Sequence, residues 1–192
     1  AGARVWAVVK ADAYGHGIAN VFPALQRADG FALLDLAEAE LVRTFGWRGP
    51  ILLLEGCFDA RDLETCSRLK LWHVVHCSEQ IDRLAALKTD RPHHVFLKLN
   101  SGMNRLGFAA ERFRAAWLRL DALAQVEAIT PMTHLANADA ADEASVDAAL
   151  AAFVEATRDL PGDRSVANSA ATLRFGARLA CGGAAWVRPG IM

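Results

Sequence analysis

The clearest architectural signal in the chain is the segment VWAVVKADAYGHG, residues 5–17. Its first five residues are apolar and rich in valine, which is typical of a short buried β-strand. The strand signal ends at Lys10, and Gly15 and Gly17 then favour a tight turn. The segment therefore predicts a buried strand that delivers a lysine to the loop at its carboxyl end.

Seven further strand-like runs follow the first, and amphipathic, alanine-rich stretches separate them. Two of these stretches, 109–123 and 143–160, show the three- and four-residue spacing of helices, and a further helical stretch, 36–45, ends at Gly46. The eight predicted strands are 5–9, 31–34, 51–54, 71–75, 94–99, 126–132, 164–167 and 185–187. Strands that alternate with helices build parallel βα units. Eight evenly spaced strands favour an α/β fold of the (β/α)8 TIM-barrel type over an open doubly wound sheet.

Length and composition restrict the class of protein. The 192 residues carry a formal net charge of -1, with 53% hydrophobic and 22% charged residues. This mixture is typical of a folded globule, and the near-neutral charge offers no electrostatic footprint for nucleic acid or an anionic membrane. No apolar run approaches the roughly 18 residues of a membrane-spanning helix. Small-molecule chemistry is therefore the first class of function to test.

The chain is short for a complete TIM barrel, which usually needs about 250 residues. We therefore expect one barrel domain over residues 1–192 that lacks its N-terminal lead-in and further C-terminal material. The cysteines show neither CxxC spacing nor the density of a secreted disulfide scaffold. They are predicted to be reduced thiols of a cytoplasmic protein: Cys57, Cys66, Cys77 and Cys181. We expect no metal site.

Three local features are also predicted from residue type. Asp59 and Ser78 are expected as helix N-caps, because their short side chains accept backbone N–H bonds. Pro23 is expected to interrupt the helical pattern around it, since proline lacks an N–H. The pair His93 and His94 is expected to form a loop at the start of the fifth strand.

Unusual polar residues gather at the carboxyl ends of the predicted strands. In a TIM barrel these ends share one face, and catalytic groups lie there. Scattered surface polarity would not favour one end of the strands, so the pattern predicts a site at this mouth of the barrel. The residues concerned are Lys10, Lys98, Asn100, His134, Asn168, Ser169 and Arg188.

Lys10 is the first candidate for chemistry. A lysine at the mouth of an apolar strand loses part of its hydration, which favours the neutral amine that attacks an aldehyde. The alternative is a lysine whose stem packs on the strand while its amine reaches water. The turn that follows contains Tyr14, whose hydroxyl can donate to a phosphate oxygen, and this favours the first interpretation.

Five motifs follow one another along the chain. They are AVVKADAYGHG (7–17), KLNSGMNRLGF (98–108), MTHLANADA (132–140), VANSAAT (166–172) and WVRPGIM (186–192). In this order they resemble the N-terminal barrel portion of the bacterial alanine racemases, which are fold-type III pyridoxal phosphate enzymes. Related enzymes of this fold type share the lysine strand, but the complete set, with WVRPGI in particular, is specific to the racemases.

The resemblance implies a role for each matching residue. Lys10 would bind the aldehyde of pyridoxal phosphate and serve as one of two acid/base groups at the substrate Cα. Tyr14 and Ser169 would hold the cofactor phosphate, helped by the backbone amides of Ser169, Gly190 and Ile191. Amides in a glycine-containing turn suit this role, because glycine lets the backbone approach the phosphate closely.

The resemblance also assigns the cofactor ring. Arg188 would donate to the pyridine nitrogen, with His134 supporting it, and Asn168 counts among the cofactor-binding residues. Arginine offers only donors, so that nitrogen must be unprotonated. An unprotonated ring is a weaker electron sink, which limits transamination and decarboxylation. Arg105 would donate to the phenolic oxygen of the cofactor.

Lys98 is the position at which several relatives carry a carbamylated lysine. Two neighbouring cations repel each other, whereas a carbamate is an anion that can pair with Arg105. We therefore predict carbamylation of Lys98, provided that Arg105 lies close to it. Asn100 stands where the relatives more often have aspartate, which removes a charge near this pair.

The implied activity is the interconversion of L- and D-alanine by two-base proton exchange, which would supply D-alanine for peptidoglycan or catabolise it. The implied setting is a cytoplasmic homodimer that acts on a small amino acid, without a nucleic acid or membrane partner. In the relatives the second base is a tyrosine of a C-terminal β-domain, contributed across the dimer interface. The only tyrosine here is Tyr14, so we expect the chain alone to be inactive or severely impaired.

Three alternatives stay open at this stage. A broad-specificity amino-acid racemase would share the same barrel and differ in pocket residues supplied by the other domain. A non-catalytic pyridoxal phosphate homeostasis protein would lack the β-domain, although the motif set through Arg188 disfavours it. The third alternative is a barrel that never binds the cofactor.

Overall fold

A computed structural model describes residues 2–179 and 185–190. Its strands all run parallel, in the spatial order β6-β5-β4-β3-β2-β1-β7. Apolar and β-branched residues fill them, as expected for strands buried on both faces. The strands are β1 (Arg4–Val8), β2 (Gly30–Leu33), β3 (Ile51–Leu53), β4 (Trp72–Val75), β5 (His93–Lys98), β6 (Val126–Met132) and β7 (Trp186–Val187).

Helices connect the successive strands, which makes the chain a series of βα units. They are α1 (Lys10–Tyr14), α2 (Ile18–Leu25), α3 (Leu36–Thr44), α4 (Ala60–Leu69), α5 (Ser78–Ala86), α6 (Ala110–Asp121), α7 (Ala144–Ala156) and α8 (Ser169–Phe175), with a 3-10 turn over Gly176–Leu179. Their apolar sides pack on the outer face of the sheet. No helix of the described residues is long and apolar enough to cross a membrane.

The segment 164–168 joins the two edges of the sheet and closes it into a ring. On one side Ser165 donates its N–H to Pro131 O and accepts from the N–H of Thr133, both at 3.0 Å. On the other side Arg164 O accepts from the N–H of Trp186 at 2.8 Å. The seventh strand predicted from the sequence, 164–167, is therefore present as a series of single bridges rather than as a continuous strand. The (β/α)8 architecture expected from the sequence is confirmed.

The inside of the ring is filled by a cluster of buried side chains. Each named strand contributes one residue to this interior cluster: Trp6, Ala32, Leu52, Val74, Phe96, Met132 and Trp186. Trp6 and Trp186 stack with their ring centroids 4.3 Å apart. Because alternate residues of a strand point to opposite faces, the next inward positions toward the carboxyl ends lie above this cluster. The interior is thus a packed core beneath the mouth of the barrel that the carboxyl ends of the strands form.

Pro23 does not interrupt its helix, contrary to the expectation from sequence. The helix α2 runs from Ile18 to Leu25 with Pro23 inside it. Proline removes the hydrogen bond to the carbonyl four residues earlier, which here belongs to Ala19. Both Pro23 and Ala19 are exposed, so water can satisfy that carbonyl and the helix continues.

The N-cap prediction holds for α4 and fails for α5. The Asp59 carboxylate accepts from the backbone N–H of Asp62, and the Asp62 carboxylate accepts from the backbone N–H of Asp59. The two bonds form a capping box. Ser78 is instead the first residue of α5, and the extended residue Cys77 takes the cap position without a side-chain bond. The backbone turns into the helix one residue earlier than the serine suggests.

The two neighbouring histidines lie in β5 and not in a loop. His93 is buried, and its ring is hydrogen-bonded on both sides: Nδ1 to His73 Nε2 at 3.1 Å and Nε2 to Ser67 Oγ at 2.9 Å. His94 bonds Thr130 Oγ1 at 2.8 Å. Internal partners satisfy the polar rings, which is why these residues are accepted in a strand. Cys57, Cys66 and Cys77 have free thiols, whereas Cys181 lies outside the described residues.

Candidate active site

The carboxyl ends of the strands surround a cavity of about 630 Å³. Its base is formed by Val8 and Leu54, which pack against the interior cluster, and by Met132, which belongs to that cluster. The structure brings together at this cavity the predicted site residues that it describes: Lys10, Tyr14, Lys98, Arg105, His134, Asn168, Ser169, Arg188 and Gly190. Ile191, also predicted to belong to the site, lies outside the described residues.

Lys10 and Tyr14 are the two ends of an unusual backbone turn. The residues after Lys10, namely Ala11, Asp12, Ala13 and Tyr14, have φ between 50° and 55°. This left-handed conformation costs roughly 1–2 kcal/mol per residue for side chains other than glycine. Strain of this kind is found at functional sites, where the surrounding structure maintains it. Only Asp12, of a residue type that tolerates this region, hinted at it in the sequence.

Tyr14, Ser169 and Gly190 lie together at one end of the cavity. Ser169 Oγ accepts from the N–H of Gly190 at 2.9 Å. A Cβ placed on Gly190 would overlap the Tyr14 hydroxyl and lie 3.0 Å from its Cζ, so only glycine fits against this ring. Two hydroxyls and a backbone amide therefore converge after the last two strand segments, where TIM barrels often bind phosphate.

Asn168 helps to place Ser169 rather than pointing a free amide into the cavity. Its Oδ1 accepts from the N–H of Ala171 at 3.0 Å and caps α8, while its Nδ2 donates to Leu135 O at 3.0 Å. Both ends of the side-chain amide are thus used within the protein. The contribution of Asn168 to the site is the position of the residue that follows it.

Arg188 is a buried cation held by neutral acceptors. Its guanidinium donates to Ser165 Oγ at 2.5 Å, Thr133 O at 2.6 Å and Val166 O at 3.3 Å. No carboxylate among the described residues pairs with it, and burial lowers its pKa to about 10. A buried charge without a counter-ion is costly, and the position of Arg188 at the cavity makes its guanidinium available to a ligand there.

Lys98 and His134 are shifted toward their neutral forms. Burial, then the positive charges of Arg105 and Arg188, lowers the pKa of Lys98 to about 8. Burial and Arg188 lower the pKa of His134 to about 3, so this imidazole is neutral at pH 7. The unfolded chain keeps the Lys98 proton to higher pH, and stability is therefore expected to rise between about pH 8 and 10.5.

Arg105 is presented by a loop that returns the chain to the end of β5. Phe108 N–H donates to Lys98 O at 2.8 Å and closes the loop. Inside it, Asn100 Oδ1 accepts from the N–H groups of Gly102 at 3.1 Å and Asn104 at 3.0 Å. The position that we singled out for its lost charge therefore shapes the backbone that leads to Arg105.

Two carboxylates at the cavity were missed by the sequence analysis. Glu55 and Asp139 both line it. Glu55 follows the carboxyl end of β3, so the rule that identified Lys98 would also have found it. Asp139 comes several residues after β6 and carried no comparable signal. Together with Lys10, Lys98, Arg105 and Arg188, they leave the cavity with an excess of positive side chains, which suits an anionic ligand.

Comparison with known proteins identifies relatives of this chain. The family model described as alanine racemase, N-terminal domain, matches residues 1–192. Among curated proteins, the alanine racemase of Delftia acidovorans is 67% identical over 193 residues, and that of a Polaromonas species is 66% identical over 190 residues. Both matches cover 99% of this chain but 52% and 51% of the relatives. The chain thus spans about half the length of the curated relatives it matches.

Solved structures of the same kind superpose on the barrel. The biosynthetic alanine racemase from Pseudomonas aeruginosa matches with a TM-score of 0.90 and 40% identity, over 98% of this chain and 52% of that one. The alanine racemase from Acinetobacter baumannii matches with a TM-score of 0.86 and 30% identity, over 99% of this chain and 56% of that one. The fold and the sequence lead to the same group of relatives.

Proposed function

The chain belongs to the family of alanine racemase N-terminal domains, and on that premise we propose that it forms the cofactor-binding barrel of an enzyme that interconverts L- and D-alanine with pyridoxal phosphate. The observation that carries the proposal is that Lys10 and Arg188, near opposite ends of the sequence, line one cavity. An amine for an aldehyde and a donor for a ring nitrogen are thereby available to the same small molecule.

The residues present fit pyridoxal phosphate. The cavity volume of about 630 Å³ lies in the range of cofactor sites. Tyr14, Ser169 and the Gly190 amide are suited to the phosphate, since glycine leaves no Cβ between them. Lys10 would hold the aldehyde end, and Arg188 would donate to the pyridine nitrogen. The donor set therefore covers both the charged and the aromatic parts of the cofactor.

Proton transfer at the substrate Cα is the central step of the proposed reaction. Bound pyridoxal phosphate would supply an electron-withdrawing ring that acidifies the Cα–H bond. Lys10 Nζ would carry the proton on one face of the substrate, and a second base on the opposite face is needed for inversion. Arg188 would keep the ring nitrogen unprotonated, because a guanidinium only donates. Arg105 and Lys98 would face the phenolic oxygen side.

Racemisation of alanine by the whole protein tests this proposal directly. L-Alanine incubated with the cofactor-loaded protein is expected to lose its optical activity, and D-alanine should be detected by D-amino acid oxidase. A protein that binds pyridoxal phosphate but leaves L-alanine unchanged would contradict the proposal and favour a binding protein without turnover. Comparison of L-alanine with larger amino acids then measures substrate breadth. The resemblance further supports a homodimer and a cytoplasmic location.

We predict that Lys98 is carbamylated and that the modification depends on pH. Carbon dioxide adds to the neutral amine, forming an N–C bond and releasing one proton. The pKa of about 8 leaves half of the amine neutral near pH 8, so occupancy in carbon-13 bicarbonate should rise as the pH increases through that value. Nuclear magnetic resonance should show one carbamate carbon.

Variants identify the modified residue. Lys98→Ala should remove the carbamate signal, and Lys88→Ala, which changes an exposed lysine, should retain it. A bare Lys98 amine at pH 9 in bicarbonate, or a signal that survives Lys98→Ala, would show that this prediction is wrong.

Gly190→Ala is predicted to weaken the phosphate contacts while sparing the fold. The added methyl group would displace the end of the Tyr14 side chain, and the backbone of Gly190 does not have the positive φ that requires glycine, so stability should change by about 1 kcal/mol. The dissociation constant for pyridoxal phosphate should rise roughly tenfold, through loss of one charge-assisted hydrogen bond. Fluorescence titration measures it.

Two controls accompany this variant. Pyridoxal, which has no phosphate, should bind Gly190→Ala and the unaltered protein equally well. Gly176→Ala adds the same methyl group into open space and should leave both dissociation constants unchanged. Equal weakening toward pyridoxal and pyridoxal phosphate would argue against a phosphate site here.

A further inference from the structure

The left-handed turn of α1 needs support from outside itself. Within the turn, Ala13 N–H donates to Val9 O at 2.8 Å, and Gly17 N–H donates to Asp12 O at 2.9 Å. Asp12 Oδ1 also accepts from the N–H of Ile18 at 2.7 Å, which ties the turn to the start of α2. These bonds all join residues between Val9 and Ile18, so none of them ties the turn to β2 or α3.

Glu38 supplies a contact from another element. Its Oε1 accepts from the backbone N–H of Asp12 at 2.8 Å. Glu38 lies in the first turn of α3, whereas Asp12 is in the middle of the left-handed residues. The bond therefore joins the helix after β2 to the turn after β1. It is made at Asp12, and aspartate adopts the left-handed conformation more readily than alanine or tyrosine.

Two observations show that Glu38 is not serving its own helix. Asp35 is the N-cap of α3, so Glu38 occupies the position where glutamate ordinarily returns a bond to the cap residue. Its carboxylate bonds Asp12 instead. The other oxygen, Oε2, is buried without a hydrogen-bond partner among the described residues. Burying an unpaired carboxylate oxygen is unfavourable, and a glutamate with only a local role would leave it in water.

We propose that Glu38 is a positioning residue that holds the left-handed turn through the Asp12 amide, and thereby places the Lys10 amine and the Tyr14 hydroxyl together for the cofactor. The proposal rests on the cofactor function argued above. Lys10 and Tyr14 bracket the turn, so relaxation of its backbone would move both side chains at once. Glu38 itself is not among the residues that line the cavity.

Three variants separate the reach of Glu38 from its charge. Glu38→Asp keeps the charge but withdraws the carboxylate by one methylene group, so the Asp12 bond should be lost. Glu38→Gln keeps the length and an acceptor oxygen but loses the charge, so most of the bond should remain. Glu40→Asp is the matched control, because Glu40 lies on the same helix in an exposed ion pair with Arg68.

The first measurement is amide hydrogen exchange of the turn in the cofactor-free chain. Glu38→Asp should accelerate exchange over residues 11–15 by roughly tenfold, as expected for loss of a charge-assisted bond. Glu38→Gln should stay within about threefold of the unaltered chain, and Glu40→Asp should match it. Equal exchange in Glu38→Asp and the unaltered chain would overturn the proposal.

The second measurement is covalent capture of pyridoxal phosphate at Lys10, followed by borohydride reduction and mass spectrometry. The concentration for half-capture should rise about tenfold in Glu38→Asp and remain near the unaltered value in Glu38→Gln. A Glu38→Gln protein as impaired as Glu38→Asp would mean that charge and not the bond matters, which overturns the proposal. No capture by the unaltered chain would instead contradict the proposed function, while the exchange measurement still decides the role of Glu38 in the turn.

Discussion

Replacing Lys10 with alanine is expected to abolish covalent capture of pyridoxal phosphate. The Lys10 side chain lines the cavity together with Tyr14, Ser169 and Arg188, and we propose that its amine is the group that reacts with the aldehyde. The unaltered chain, incubated with the cofactor and reduced with borohydride, should gain the mass of one phosphopyridoxyl group (the cofactor less water, plus two hydrogens) on the peptide that contains Lys10. The Lys10→Ala chain should gain none.

The same substitution should remove the activity of the whole protein. Loss of a positioned acid/base group costs roughly 10²–10⁴-fold in rate, and loss of the covalent attachment adds to this. We therefore expect racemisation of alanine to fall by about a thousandfold or more. Lys88→Ala is the control, since Lys88 is exposed and does not line the cavity. Cofactor capture at another lysine of Lys10→Ala, with activity retained, would contradict the assignment.

Replacing Arg188 with methionine is expected to have the second largest effect, because Arg188 serves the fold and the site at once. Methionine has a similar length but leaves Ser165 Oγ, Thr133 O and Val166 O without their donor. Unpaired buried acceptors cost about 1–3 kcal/mol each. Removing a desolvated cation, whose pKa burial lowers to about 10, offsets part of this. A net loss of about 1–3 kcal/mol is expected in urea unfolding.

The effect of Arg188 on reaction specificity is more diagnostic than its effect on stability. In the proposed arrangement, Arg188→Met would leave the pyridine nitrogen of pyridoxal phosphate without its donor and able to accept a proton, which would strengthen the ring as an electron sink. Racemisation should fall by roughly 10²–10³-fold, as for loss of a preorganised donor. The share of turnovers that end in transamination should rise, as measured by pyruvate formation with lactate dehydrogenase.

A suitable comparison for Arg188 is an exposed arginine. Arg119→Met changes a surface residue that pairs with Asp82 and should alter neither stability nor the ratio of pyruvate to D-alanine by a measurable amount. An Arg188→Met protein with an unchanged ratio would show that Arg188 does not control the ring nitrogen, even if its stability falls as expected.

The strand positions were predictable from the sequence because each strand of a TIM barrel has a recognisable pattern within its own few residues. Each is a short apolar run bounded by turn residues, and β6 was placed at its observed limits, Val126–Met132. The residues at the carboxyl ends follow from the same pattern, and the structure brings Lys10, Lys98, His134 and Arg188 to one cavity. Glu55 could have been found by this rule, whereas Asp139 could not.

Errors arose where a residue type was judged without its surroundings. Pro23 lies within a helix because an exposed carbonyl can turn to water. His93 lies in a strand because His73 and Ser67 satisfy its ring. Asn168 and Asn100 serve the backbone around them with most of their hydrogen-bonding capacity. For Pro23 and His93 the deciding partner is the solvent or lies far along the chain, so no local pattern records it. The two asparagines act mainly on backbone groups within four residues, an effect that residue type alone does not distinguish from a role in ligand binding.

The sequence alone predicted the alternation of strands and helices, the barrel class and the family. These depend on periodicity and on motifs that are continuous in the chain. Only the tertiary structure decided that the turn after Lys10 is left-handed and that Glu38 reaches it from the next βα unit. It also decided that Arg188 is buried and pairs with no carboxylate of residues 2–179 and 185–190. These features depend on which groups, distant along the chain, the fold brings together in the low-dielectric interior. Their free energies come from long-range packing and desolvation, which the order of residues does not display.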